Sequence, residues 1–161
     1  MEISVGMGEI KIAESPHVLK AIGLGSCIAV TLYDGETKIG GMAHILLPTI
    51  EEVCNKSCPP RFVDVAIGMM IDEMNKGGAD IKAIKAKIFG GANMFPGIIS
   101  SDGLMDVGKR NILAAKEELE RFQIKITAEE VGDHIGRTVL FDTSNGSAVV
   151  KTTLMTERRY A

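Results

Sequence analysis

A chain of 161 residues with 45% apolar and 24% charged side chains has the composition of a globular domain, not of a disordered or fibrous one. A net charge of −3, with basic residues scattered apart from Glu157-Arg158-Arg159, argues against nucleic acid as the main partner. No apolar run approaches a membrane span, and Met1-Glu2-Ile3-Ser4 lacks a charged-then-apolar leader, so neither membrane insertion nor export is expected and the cytoplasm is the expected compartment.

In chain order, Ile3 to Ala13 reads as one short strand or two, interrupted by Gly6 and Gly8. Gly23-Leu24-Gly25-Ser26-Cys27 is a glycine-rich turn that delivers a thiol to the start of a strand. From Cys27 to Leu32 the residues alternate, with Ile28, Val30 and Leu32 on one face and Cys27, Ala29 and Thr31 on the other. Asp34-Gly35 is a hairpin signal, and Lys38 to Leu46 forms the returning strand. A two-residue turn makes paired positions sum to 69 and a four-residue loop to 71. Both sums are odd, so either loop puts Cys27 and His44 on one face, directly opposite or on a neighbouring diagonal. A three-residue loop separates them unless a bulge intervenes.

Glu51 to Pro60 is a polar, proline-ended loop. Val63, Ile67, Met70 and Met74 mark one face of a helix over 61–76, closed by Gly77-Gly78. Ile84 to Phe89 is a strand ending at Gly90-Gly91. A second helix is expected over 108–122, with Ile112, Ala115, Leu119 and Phe122 on its apolar face, followed by a strand over 124–131. Arg137–Phe141 and Ala148–Thr153 make a hairpin around Asn145-Gly146. Nine methionines, among them Met69, Met70 and Met74, suit an adaptable core better than a docking face. The sum is a single α/β domain over residues 1–161, a sandwich of mixed, largely antiparallel sheet with two main helices.

The chemistry-bearing residues are few. A thiol near its ordinary pKa of about 8.5 is mostly protonated at neutral pH, and only the thiolate attacks. A neighbouring imidazole removes that proton and returns it to a leaving group. Cys27 is therefore the candidate nucleophile and His44 the candidate base. Gly25 and Ser26 shape a turn whose amides, at Ser26 and Cys27, can face a developing oxyanion. Cys27 also suits a plain buried, inert cysteine. Cys54 and Cys58, separated by three residues, suit a metal clamp, with Cys27 and His44 as candidates to complete four ligands, or a redox pair; no second pair of similar spacing exists, so incidental loop thiols, and no metal or cofactor, are expected.

Several stretches together resemble one family. They are Gly23-Leu24-Gly25-Ser26-Cys27, Ala43-His44 through Leu47-Pro48, Arg61-Phe62-Val63-Asp64-Val65-Ala66, Ala86 through Phe95, Val107-Gly108-Lys109-Arg110-Asn111, Gly136-Arg137 and the Asn145-Gly146 hairpin. In that order they resemble CheD, the chemoreceptor glutamine deamidase of bacterial and archaeal chemotaxis. The resemblance implies a protein-glutamine glutaminase in which Cys27 attacks a receptor carboxamide and His44 serves as base and then acid. Weak methylesterase activity follows from the same acyl chemistry. A fold similar to that of glutamine-deamidating toxin domains is also implied.

The family's triad is completed by a threonine six residues before the cysteine, where this chain has Ala21. A backbone carbonyl, Thr31 or Asn93 are the candidates to orient the imidazole instead. The resemblance also implies that Ala21→Thr raises turnover. It names two partners, the receptor's cytoplasmic part and CheC, a phosphatase of the response regulator CheY. Phe95, beside Met94, is the candidate partner contact, against a buried phenylalanine. Arg110 and Asn111 read as internal caps or pairs, Gly90-Gly91 as a tight turn by the site, and Arg137 as either a receptor contact or an internal ion pair. Against the enzyme stand an adaptor with reduced catalysis, binding receptor and CheC, and a metal or redox protein using Cys54 and Cys58.

Overall fold

The computed structural model describes residues 1–49, 59–97 and 106–161. Cys54 and Cys58 lie outside those residues. The described chain runs β1 (Glu2–Ser4), β2 (Ile10–Glu14), β3 (Val18–Leu24), β4 (Ile28–Asp34), β5 (Ile39–Ile45), a 3₁₀ turn at Pro59–Arg61, α1 (Val63–Lys76), β6 (Ile84–Gly90), α2 (Val107–Arg121), β7 (Lys125–Val131), β8 (Arg137–Asp142), β9 (Ala148–Thr152) and β10 (Glu157–Tyr160). The strands form two five-stranded sheets, ordered β1-β3-β8-β9-β10 and β2-β5-β4-β6-β7. Only the β1–β3 and β6–β7 pairs are parallel; the rest are antiparallel. The α/β sandwich read from the sequence is present, as two sheets with both helices on one of them.

Strand β4 lies at the centre of the second sheet and is apolar on both faces, as a strand covered on both sides must be. Ile28, Val30 and Leu32 face the helices, packing with Ile67, Met70 and Met74 of α1 and Ala115 and Leu119 of α2. Ala29 faces the first sheet, in a core with Leu19, Ala21, Met42, Phe89, Val139 and Phe141, and Cys27 packs at its edge. The alternation read from the sequence therefore holds.

Helix α1 starts two residues later than expected because Pro59–Arg61 forms the 3₁₀ turn, and it stops at Gly77. In α2 the Asp106 carboxylate accepts from the Lys109 N–H at 2.8 Å, an N-cap the apolar pattern did not reveal. Arg137 is an internal pair. Its guanidinium is buried, with Nε 3.1 Å from Glu130 Oε1 and Nη1 donating to Gly132 O at 2.9 Å, so it has no surface to offer a receptor.

Candidate active site

The β4–β5 connection is a four-residue loop, Gly35 to Lys38, because Asp34 remains in the ladder opposite Ile39. The Asp34 carboxylate holds the loop by accepting the Glu36 N–H at 2.9 Å. Paired positions therefore sum to 73, not 69 or 71. The parity is unchanged, so Cys27 and His44 share the face turned toward the first sheet, and they stand on a diagonal, His44 being opposite Ala29.

Three backbone carbonyls fix the half-buried Cys27 in its loop. Gly25 O accepts from Ala92 N–H at 2.9 Å, Ser26 O from Asn111 Nδ2 at 3.0 Å and Cys27 O from Gly91 N–H at 2.8 Å. The approach is close: a Cβ on Gly90 would stand 2.5 Å from Cys27 O, and one on Gly91 2.6 Å from Ile112 Cγ1. Both glycines also have positive φ, +97° and +69°, so Gly90-Gly91 is the tight turn that backs the thiol loop. With the carbonyls engaged, the N–H groups of Gly25 and Ser26 donate to no protein acceptor among the described residues, and the Cys27 N–H meets only its own thiol. They are available to an incoming oxygen.

His44 is 1% exposed. The N-terminal segment grips its backbone, with His44 N–H donating to Glu9 O at 3.0 Å and Gly8 N–H donating to His44 O at 2.8 Å. The ring Nδ1 lies 3.2 Å from Val5 O. A carbonyl only accepts, so Nδ1 carries the proton and Nε2 keeps its lone pair. Nε2 is buried and has no hydrogen-bond partner among the described residues. That leaves the basic nitrogen free, and no hydrogen bond joins it to the thiol.

Burial pulls the imidazole pKa below its ordinary value, against the smaller opposing effect of the Val5 bond. Burial likewise pushes the Cys27 thiol up, against its own backbone amide. Both directions favour a neutral thiol and a neutral imidazole over a thiolate–imidazolium pair. From that state a proton would pass from the thiol to the imidazole as the thiol attacks, not before.

The backbone carbonyl of Val5 takes the orienting place. Neither Thr31, which is buried opposite Met42, nor Asn93 bonds the ring. Asn93 builds its own loop instead: its side chain accepts the Phe95 N–H at 3.0 Å and its N–H donates to Asp133 O at 2.8 Å. Ala21 is fully buried opposite Val139. Val5 carried no sequence signal, since every residue owns a carbonyl. Asn111 did carry one, a fully buried amide on the apolar face of α2. Among the described residues no three His, Cys, Asp or Glu side chains converge on a metal-sized site.

A family model described as CheD chemotactic sensory transduction matches residues 46–152. The chain belongs to the CheD family. It is 45% identical over 151 residues to the probable chemoreceptor glutamine deamidase CheD of Clostridium tetani, covering 94% of this chain and 91% of that protein. A protein of the same description from Clostridium botulinum strain Hall is 42% identical over 151 residues, covering 94% of this chain and 93% of that one. The family-model match begins after His44, whereas each overlap of 151 residues in 161 spans both Cys27 and His44.

Two outcomes follow from this geometry. Alkylation of Cys27 by iodoacetamide should rise with pH through a midpoint above the ordinary thiol value of about 8.5, because the burial-disfavoured thiolate accumulates only at higher pH. A rate already at its plateau near neutral pH would reveal a preformed ion pair instead. For Ala21→Thr, turnover should stay within about twofold of wild type, since Val5 already takes the one Nδ1 proton; this revises the gain expected from sequence. A clear rise in kcat would show that the carbonyl orients the ring poorly.

Proposed function

We propose that this chain is a chemoreceptor glutamine deamidase in which Cys27 is the nucleophile and His44 the general base and acid. The observation that carries the roles is the buried His44 Nε2, unpartnered among the described residues, on the same face of the sheet as a half-buried thiol whose loop amides donate to no other described residue. Family membership and the names of the relatives support the substrate.

As Cys27 Sγ attacks the glutamine carboxamide carbon, its proton passes to His44 Nε2. The carbonyl electrons move to oxygen, where the Ser26 and Cys27 amides face the charge. Collapse of this intermediate breaks the C–N bond, and His44 protonates the departing nitrogen to give ammonia and a thioester. Water, deprotonated by His44, then attacks the thioester carbon. The thiolate leaves, regains the proton, and the side chain is glutamate. A glutamyl methyl ester enters the same path with methanol as leaving group, which gives a weak methylesterase corollary. No step needs a cofactor.

Among the described residues no helix is long and apolar enough to cross a membrane. On this reading the deamidation takes place in the cytoplasm, on the cytoplasmic part of the receptor, and the chemoreceptor substrate named for the relatives supports it. At the rim of the site the Met94 side chain lies against Gly25, and Phe95 is 70% exposed. An exposed phenylalanine beside the nucleophile loop supports its assignment as a partner contact, with CheC as the partner.

Cys27→Ala should abolish conversion of glutamine to glutamate in a chemoreceptor cytoplasmic fragment, read by mass spectrometry, while the fold is kept. Conversion by the variant would sink the mechanism. Phe95→Glu should weaken CheC binding by about tenfold or more without loss of fold, as measured by calorimetry. Unaltered affinity in a folded variant would remove Phe95 from the interface.

A further inference from the structure

Building on the deamidase reading, we propose that Asn111 is a positioning residue for catalysis: it aims the oxyanion-binding amide of Cys27 and fixes the spacing between the nucleophile loop and the strand that carries His44.

Asn111 is fully buried, one α-helical turn beyond Gly108 on the face of α2 that continues through Ala115 and Leu119. Its amide nitrogen reaches two carbonyls, Ser26 O at 3.0 Å and Leu46 O at 2.9 Å. An amide nitrogen has two hydrogens, and both are used. Ser26 O belongs to the peptide whose nitrogen is that of Cys27. Across a planar trans peptide the C=O and N–H point in opposite directions. Pulling Ser26 O toward α2 therefore turns the Cys27 N–H away from the helix, in a direction where, among the described residues, it meets only its own thiol. Ala92 N–H does the same for the Ser26 amide by holding Gly25 O at 2.9 Å.

The second bond ties the same side chain to the end of β5, two residues beyond His44. One amide group thus sets both the oxyanion donor and the base. The close seat of α2 makes this possible: a Cβ on Gly108 would stand 2.5 Å from Gly91 O, so the helix start has no room for a larger residue there. Asn111 Oδ1, meanwhile, is buried without a partner among the described residues. A side chain selected for packing alone would not leave a buried acceptor unmet. The amide is held for its two donors.

The test uses Asn111→Ala and Asn111→Asp. The second keeps the shape while replacing the donor with an oxygen that repels both carbonyls. Expected is a fall in kcat on a receptor fragment of about 10- to 100-fold, below the 10²–10³ typical of deleting an oxyanion donor outright, with KM within about threefold. Affinity for a glutamine-derived peptide aldehyde, whose hemithioacetal oxygen needs the same amides, should fall in step with kcat. Alkylation of Cys27 by iodoacetamide, a displacement that forms no oxyanion, should change by less than about threefold. Alkylation falling as far as kcat would overturn the proposal, because Asn111 would then only place the thiol. Unchanged kcat in either variant, with thermal unfolding showing a native fold, would overturn it too. If Asn111→Ala does not fold, the isosteric Asn111→Asp decides alone. A wild type that alkylates normally yet leaves receptor glutamine intact would instead remove the deamidase reading beneath it, a result visible before any variant is made.

Discussion

Pairing β4 with β5 so that Ala29 stands opposite His44 determines on which side of the second sheet chemistry can occur. In a strand pair every second side chain shares a face, so a slip of one residue would send the imidazole into the helix-facing core among Ile28, Ile45 and Met70. The four-residue loop sets that register, and the buried Asp34 carboxylate anchors it to the Glu36 and Thr37 amides and to the Asp80 amide at 3.0 Å. The opposite end of the hairpin thus governs where the base is found. Close packing reinforces the choice. A Cβ on Gly40 would stand 2.7 Å from Phe141, and one on Gly41 2.8 Å from Ile12.

Burial gives the site its particular electrostatic state. A buried imidazole and a half-buried thiol are each disfavoured as ions, and nothing among the described residues pairs with Nε2 to compensate. The resting enzyme therefore holds potential nucleophile and base apart as neutral groups. On the proposed mechanism charge appears only when a carboxamide supplies an electrophilic carbon and the Ser26 and Cys27 amides meet the oxygen that becomes anionic. An inert resting thiol is also less prone to oxidation, whose targets are accessible thiolates.

Much of this was legible in the residues because it depends on period and parity. Alternation placed Cys27, Ala29 and Thr31 on one face, and the odd sum put His44 with them even though the four-residue loop lies one residue further along than expected. The helix spacing of Val63, Ile67, Met70 and Met74 located α1. Strand β3 was hidden, since Gly23 suggested a turn where the chain continues through Leu24 with a bulge after Ala21. Strand β10 was hidden by Glu157-Arg158-Arg159, charges that suit an exposed edge strand but read as a solvated cluster. The orienting carbonyl of Val5 belongs to the backbone and leaves no mark in a sequence. Exposure of Phe95 is decided by an Asx turn at Asn93 that tilts the loop outward, a detail below the reach of apolar patterning.

The contacts that complete the site are distant along the chain: Val5 reaches His44 across 39 residues, and Asn111 reaches Leu46 and Ser26 across 65 and 85. Closing such loops costs entropy that local structure does not repay, so these contacts belong to the late stages of folding. During synthesis Cys27 emerges from the ribosome long before α2. Until the helix docks, the thiol has neither an aimed amide nor a base at a fixed distance. With Cys27 and His44 in their proposed roles, arming is tied to completion of the fold, and a partly made chain carries an ordinary cysteine instead of an acyl-transfer reagent loose among other proteins.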